Sequence, residues 1–123
     1  MKVLIADDDR VLTRLAAAGL KGRGWQVEVA HDAMQALMFA MKAPHPDVIA
    51  LDIGMPGGSG FQVLQKLQQS SRTSQIPVVV VSGSITEGDE PRVVELGAVA
   101  FLRKPVEAQV LHEALARATG QAA

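Results

Sequence analysis

The sequence contains no cysteine among its 123 residues. This absence excludes disulfide bonds, thiolate metal sites and a cysteine nucleophile. It is also typical of proteins that work in a reducing compartment, and we therefore expect a cytoplasmic protein.

The sequence also has no excess of charge of either sign and no long hydrophobic run at its start. Its 12 basic and 13 acidic residues give a net charge of −1, and the first apolar run ends at three consecutive aspartates. That run is too short for a signal peptide or a membrane span. Without a basic field, we expect no direct contact with nucleic acid and no membrane association, so a role in DNA binding would need a second domain.

The apolar content is sufficient for one hydrophobic core. Hydrophobic residues make up 48% of the chain and charged residues 20%. A chain of this length buries one ordinary core but is too short for two full domains. No repeat, low-complexity tract or linker divides it, and we expect one domain over residues 1–123.

Short runs rich in valine and isoleucine alternate five times with longer segments of helical period. This alternation predicts βα units and a parallel sheet flanked by helices. The predicted strands cover residues 3–6, 25–30, 48–51, 78–81 and 100–103. The first, third and fourth runs show no polar alternation, which is typical of strands covered on both faces. We expect the second and fifth strands nearer the edges of the sheet.

Apolar residues at helical spacing predict five helices. The second helix is marked by Ala33, Ala36, Leu37, Ala40 and Met41. Leu12, Leu15 and Ala16 mark the first helix, and Asp9 is expected to cap its N-terminus.

Two further helical features follow from spacing and from proline and glycine. Pro91 can lie only near the start of a helix and Gly97 is expected to cap its end, so the fourth helix should be short, over residues 92–96. Met34, Met38 and Met41 recur at helical spacing, and we interpret this row as packing rather than as a ligand surface.

Several polar residues follow the predicted strands directly. Asp7 and Asp8 come after the first strand, Asp52 after the third, Ser82 after the fourth and Lys104 after the fifth. In a doubly wound parallel sheet, ligands bind beyond the carboxyl ends of the strands, where the strand order reverses. We therefore expect three carboxylates, a hydroxyl and an ammonium to share one edge of the sheet.

Three neighbouring carboxylates repel one another unless a cation joins them. An all-oxygen site without histidine or cysteine favours Mg²⁺, which usually also binds phosphate oxygens. A carboxylate can take up a phosphoryl group as an aspartyl phosphate, while Mg²⁺ and a lysine neutralise the charge on the transferring oxygens. The residues predict this role for Lys104, and Ser82 is a candidate donor of a hydrogen bond to the phosphoryl group.

Four motifs in order carry a family resemblance. ADDD follows the first strand, PDVIALDIGMPGGSG surrounds the third, VVVVSG covers the fourth and FLRKP the fifth. Together they resemble the bacterial response-regulator receiver domain of two-component systems. The resemblance implies an α/β, flavodoxin-like fold: a doubly wound five-stranded parallel sheet of strand order 2-1-3-4-5, flanked by five helices. It also implies Mg²⁺-dependent phosphorylation by a sensor histidine kinase or a histidine phosphotransfer protein.

The resemblance further implies roles for the acidic residues. Asp52 matches the phosphoacceptor of the family. Asp8 and Asp52 match the residues that ligate Mg²⁺ directly, together with the backbone carbonyl of Gly54. Asp7 matches the residue that reaches the metal through water. Many family members carry a larger side chain at the position of Gly54, which bears on the lifetime of a phosphoryl group.

The remaining matched positions imply a phosphoryl contact and a switch. Lys104 would contact the phosphoryl group, and Ser82 and Phe101 match the hydroxyl and aromatic switch pair. The bond between Lys104 and Pro105 matches a cis peptide of the family. Val106 stands where an aromatic residue often follows the Lys-Pro pair.

We compared three other functions with this one. A phosphatase of the haloacid-dehalogenase type needs a second acid two residues after the nucleophile, but position 54 is glycine. A flavodoxin needs a first loop rich in serine, threonine and glycine, whereas the aspartates at 7–9 would repel a flavin phosphate. A receiver-fold docking module that works without phosphorylation remains open. We thus expect a signalling domain that is not an enzyme. Its output partner or output domain is unknown. Phosphorylation-dependent dimerisation is a hypothesis that follows from the resemblance.

Overall fold

The structure is a computed structural model that describes residues 1–55, 60–83 and 89–120 of the chain. Strands and helices alternate along the described residues. In chain order they are β1 (Lys2–Ala6), α1 (Arg10–Lys21), β2 (Gln26–Ala30), α2 (Ala33–Met41), β3 (Val48–Leu51), α3 (Gly60–Gln69), β4 (Val78–Ser82), α4 (Glu90–Glu95), β5 (Ala100–Arg103) and α5 (Ala108–Ala118). The predicted doubly wound α/β fold is confirmed.

The five strands form one parallel sheet in the order β2-β1-β3-β4-β5. The chain therefore adds β2 on one side of β1 and then crosses to place β3 on the other side. Ala6, the last residue of β1, pairs with Leu51, the last residue of β3. The residues that follow these two strands consequently emerge side by side, at the point where the strand order reverses.

Burial along the strands follows their position in the sheet. All four residues of β3 are buried, as are four of the five in β1 and in β4. Edge strand β2 buries only its last residue, and edge strand β5 buries none completely. This confirms the expectation that continuous apolar runs are central strands, since helices cover both of their faces.

Side chains of each central strand alternate between two cores. Leu4 and Ile49 lie in the core that also contains Leu64 of α3. Val3 and Leu115 lie in the opposite core, beneath α5. This alternation is the two-residue period of a strand, and it places α2 and α3 on one face of the sheet and α1 and α5 on the other.

The predicted first helix is present as α1, but the leucines that marked it do not form its buried face. Leu12 and Leu15 are 42% and 65% exposed, whereas Thr13, Ala17 and Leu20 are the buried residues. Both sets have helical spacing, so periodicity alone does not decide between them. Thr13, Ala17 and Leu20 form the buried face of α1, and the two leucines lie toward solvent.

The packing role expected for the methionines of α2 is also wrong. Met34 and Met38 are 71% and 58% exposed, and Met41 is exposed as well. The buried face consists of the alanines at 33, 36 and 40. Because α2 is apolar on all sides, its spacing could not indicate which face packs. The alanines take the sheet side since they permit a closer approach.

The expected helix ends are present. The Asp9 side chain accepts hydrogen bonds from the backbone N–H groups of the first turn of α1 at 3.0 Å, which confirms its capping role. Helix α4 is short, as predicted, although at Glu90–Glu95 it begins two residues earlier than expected, with Pro91 in its first turn. Gly97 has a φ of 102° just after that helix, a conformation that favours glycine.

Candidate functional site

The backbone at the reversal point positions two buried carboxylates. The Asp7 N–H donates to the carbonyl of Ala30 at 2.9 Å, and the Asp52 N–H donates to the carbonyl of Ala6 at 2.8 Å. These bonds continue the sheet one residue past β1 and β3. Asp7 and Asp52 are each only 7% exposed, whereas Asp8 lies in solvent. One carboxylate oxygen from each of these three aspartates lies within 4.8 Å of the other two.

Lys104 joins the two buried carboxylates. Its Nζ lies 2.5 Å from Oδ2 of Asp7 and 3.3 Å from Oδ2 of Asp52. The Lys104 backbone N–H donates to the carbonyl of Ser82 at 3.2 Å, which anchors the lysine just past the end of β5. The following peptide bond, between Lys104 and Pro105, is cis.

Backbone N–H groups hold the other oxygen of each buried carboxylate. Oδ1 of Asp7 accepts from the N–H of Asp9, and Oδ1 of Asp52 accepts from the N–H of Gly54, both at 2.9 Å. Each carboxylate therefore has one oxygen fixed by the backbone and one directed toward Lys104. Such doubly held carboxylates are preorganised, since their rotation is restricted before any ligand arrives.

The charges of the site influence one another. Burial raises the pKa of Asp7, and the nearby charge of Asp52 adds to this, although the hydrogen bonds from Lys104 and the Asp9 N–H oppose it. Burial alone would lower the pKa of Lys104, but its hydrogen bond to Asp7 and the charges of both carboxylates outweigh burial and raise this pKa. Lys104 is therefore charged at neutral pH and compensates only part of the negative charge of the site.

The donor set fits a hard divalent cation. Among the described residues, the one group able to hold a metal ion consists of Asp7, Asp8 and Asp52, all of which offer oxygen. Oxygen ligands of this kind suit Mg²⁺ better than they suit zinc or copper. Gly54, exposed and two residues after Asp52, lies beside this group through its N–H contact.

The two predicted switch residues lie on neighbouring strands. Ser82 is fully buried at the end of β4, and Phe101 is half-buried in β5, opposite Val80. Phe101 packs against the core beneath α2 and α3. The guanidinium carbon of Arg103 lies 5.5 Å from the centre of the Phe101 ring. The structure thus places the hydroxyl close to the acidic edge and the aromatic ring further along the sheet.

His31 is a neighbour of the site that the sequence interpretation did not include. It follows β2 directly, and its Nδ1 lies 3.0 Å from the backbone carbonyl of Asp7. Its own N–H donates to the side chain of Gln35 at 2.8 Å. The strand-end rule that identified the aspartates would have indicated His31 too, because β2 ends at the same edge of the sheet.

This geometry agrees with the family comparison. The family model "Response regulator receiver domain" matches residues 3–116. The chain belongs to the response regulator receiver domain family. The chain is therefore a receiver domain of the kind found in two-component response regulators.

Curated relatives and solved structures support this assignment. The chain is 38% identical over 106 residues to response regulator PleD of Caulobacter vibrioides, which covers 86% of this chain and 23% of PleD. It spans less than half the length of the first curated relatives that it matches. Chemotaxis response regulator CheY4 of Vibrio cholerae superposes with a TM-score of 0.87 at 29% identity, over 95% of this chain and 97% of that one.

A further solved structure is that of a response regulator from Burkholderia pseudomallei with a phosphorylated aspartic acid, a calcium ion and citrate. It superposes with a TM-score of 0.84 at 27% identity, over 93% of this chain and 65% of that one.

One expectation requires correction. We expected a domain that is not an enzyme, but family membership identifies a receiver, and receiver domains are phosphoacceptors. "Not an enzyme" is therefore the wrong description of the chain, although the comparisons show no separate enzymatic activity. Across the described ranges, no helix combines the length and the apolar character that a membrane span requires.

Proposed function

We propose that Asp52 accepts a phosphoryl group from a phosphohistidine of a sensor histidine kinase or a histidine phosphotransfer protein. The observation that carries this proposal is the meeting of three aspartate carboxylates within 4.8 Å beside the ammonium of Lys104. An Asp52 oxygen attacks phosphorus and the phosphorus–nitrogen bond breaks. The imidazole leaves with the bonding electrons and recovers a proton from solvent.

The acidic cluster of Asp7, Asp8 and Asp52 would hold Mg²⁺ for this reaction. Asp8 and Asp52 would bind it directly with the carbonyl of Gly54, and Asp7 would bind it through water. The bound ion would supply positive charge to the oxygens of the transferring group. The Burkholderia pseudomallei relative, with its phosphorylated aspartic acid and calcium ion, supports a pairing of aspartyl phosphate with a divalent cation.

Lys104 would neutralise the remaining charge of the phosphoryl group. In the present structure it bridges Asp7 and Asp52, and its contact with Asp52 is the longer of the two at 3.3 Å. Once Asp52 carries a phosphoryl group, the ammonium can follow the new oxygens while it keeps its bond to Asp7. This exchange stabilises the transition state, in which charge spreads over the oxygens of the transferring group.

The outer face of α1 would receive the phosphodonor. Val11, Leu12 and Leu15 are 69%, 42% and 65% exposed, and they follow the capping residue Asp9 beside the acidic cluster. An exposed apolar patch next to a reactive group is typical of a protein interface. A helix of the donor that covers these side chains would bring its phosphohistidine close to Asp52.

The side of the domain formed by β4, β5 and α4 would report phosphorylation. A hydrogen bond from Ser82 to the phosphoryl oxygens would shift β4, and the ring of Phe101 would respond on β5. Val94 of α4 and Val99 are 56% and 57% exposed near this strand. We propose that an output partner, an output domain or a second phosphorylated copy binds there. We also propose that the phosphoryl transfer takes place in the cytoplasm. Sedimentation that shows no change of mass on activation would argue against the dimer.

The test uses beryllofluoride, a phosphoryl mimic, with Mg²⁺ and amide NMR shifts of the wild type and Asp52→Asn. We expect shifts around Asp52, Ser82 and Phe101 in the wild type only, and only when Mg²⁺ is present. If the wild-type spectrum does not change, the acidic cluster is not a working phosphoacceptor site. The protein is then better described as a docking module that does not depend on phosphorylation.

A further inference from the structure

A cavity of about 390 Å³ lies between α1, α5 and the sheet, next to the acidic cluster. Its floor is formed by Ile5, Ala50 and Val81 from three adjacent strands, and Leu111 of α5 closes one side. Leu15, which is 65% exposed, marks its opening to solvent. The cavity has the size of a small-molecule site, for which about 300–1,000 Å³ is usual.

The cavity exists because small side chains line it where larger ones would fill it. Ala16 of α1 and Ala108 of α5 face it from the two helices, and Val106 lies in the loop between β5 and α5. Protein interiors are otherwise close-packed, and an apolar void reduces stability in proportion to its volume. An apolar space of this size that opens to solvent has the form of a small-molecule site.

The charge at one end of the cavity determines what that ligand can be. Asp7, Asp52 and Lys104 all line this end, so that two carboxylates are opposed by one ammonium. An anionic ligand would be repelled by both aspartates. Each carboxylate has about four lone-pair positions, and the N–H and ammonium contacts at Asp7 and Asp52 leave some of them available to another donor. A cationic head with several N–H donors complements this end.

We propose that this cavity binds a small organic ammonium ion with an apolar tail. The ammonium contacts Asp7 and Asp52, and the tail lies on Ile5, Ala50 and Leu111. Since the head uses carboxylates that the proposed Mg²⁺ site also uses, the ligand and Mg²⁺ exclude each other. Binding itself does not require phosphoryl transfer, so it can be present even if Asp52 is never phosphorylated.

The test compares three probes by amide NMR titration of the whole chain. 2-Phenylethylammonium carries the proposed head and tail, methylammonium has the head alone, and 3-phenylpropionate has a similar tail with the opposite charge. We expect saturable shifts at Ile5, Ala50 and Leu111 with the first probe and at least tenfold weaker binding of the other two. Saturating Mg²⁺ should weaken the first probe by at least tenfold. Equal binding of 3-phenylpropionate overturns the proposal, and so does the absence of an Mg²⁺ effect when Mg²⁺ itself shifts the Asp52 amide. If Mg²⁺ does not shift that amide, the proposed Mg²⁺ site fails, and the comparison of the three probes still tests the cavity.

Variants of the cavity wall provide the matched control. Val106→Phe places a ring in the cavity and should weaken the ammonium probe at least tenfold, with Val106→Leu intermediate. Val110→Phe adds the same ring at a residue of α5 that does not line the cavity, and it should bind like the wild type. The Mg²⁺-induced shift of Asp52 in each variant shows that the fold and the acidic edge are intact. Wild-type binding of the probe by Val106→Phe with that shift present refutes the assignment.

Discussion

Replacement of Lys104 by methionine tests how much the acidic edge of the sheet depends on its one bridging ammonium. At an effective dielectric constant of 20, the attraction is about 7 kcal/mol for the 2.5 Å contact with Asp7 and about 5 kcal/mol for the 3.3 Å contact with Asp52. Most of this offsets the cost of removing the charges from water. We expect Lys104→Met to lower the free energy of unfolding by about 2 to 4 kcal/mol in EDTA, since two buried carboxylates then lack their partner.

The same variant should respond to Mg²⁺ more strongly than the wild type. The cation replaces the lost positive charge, so saturating Mg²⁺ should recover a large part of the lost stability. Urea unfolding at pH 7.5, with EDTA or with Mg²⁺, measures both quantities. Lys66→Met is the control because Lys66 is exposed on α3, away from the acidic edge. Equal stability of Lys104→Met and the wild type in EDTA, or equal gains from Mg²⁺, would refute the reasoning.

Three further predictions concern single side chains. In Gly60→Ala the added carbon would lie within 2.8 Å of backbone atoms of Ile53, in the segment that follows β3. We expect weaker Mg²⁺ binding by calorimetry and a loss of about 2 kcal/mol in the free energy of unfolding. Gly22→Ala is the control, because its added carbon meets no atom nearer than 3.5 Å, and it should show neither effect. His112→Ala removes the acceptor that lies 2.9 Å from the Trp25 indole nitrogen. Unfolding followed by tryptophan fluorescence should show that the free energy of unfolding falls by about 1 to 3 kcal/mol. An unchanged unfolding midpoint would contradict this. Burial raises the pKa of Asp7, so the metal-free protein should lose stability as pH rises from about 4 through that raised value. Asp7→Asn should flatten this dependence of unfolding free energy on pH. Parallel pH profiles of the variant and the wild type would exclude Asp7 as the cause.

The strands and the acidic edge could be predicted because they depend on strong local signals. The apolar runs of β1, β3 and β4 are short and have no polar alternation, which is typical of strands covered on both faces. The rule that parallel strands present their carboxyl ends at one edge then places Asp7 and Asp52 together without any knowledge of the helices. The contact of Lys104 with both aspartates agrees with that prediction.

The helix faces could not be predicted in the same way. In α1 both the leucines at 12 and 15 and the residues Thr13, Ala17 and Leu20 satisfy a helical period, but only the second set is buried. In α2 the alanines pack and Met34 and Met38 lie in solvent. Which face packs depends on how closely each helix can approach the sheet, and that distance is a property of two elements together.

The sequence by itself determined the order of strands and helices, the capping of α1 by Asp9 and the residues that follow each strand. Each of these depends on neighbours in the chain or on a general rule of parallel sheets. Only the tertiary structure decided that Lys104 bridges Asp7 and Asp52, that Leu12 and Leu15 face outward and that a cavity lies between α1 and α5. These features depend on the separation of elements distant in sequence, which is decided by the packing of all their side chains at once.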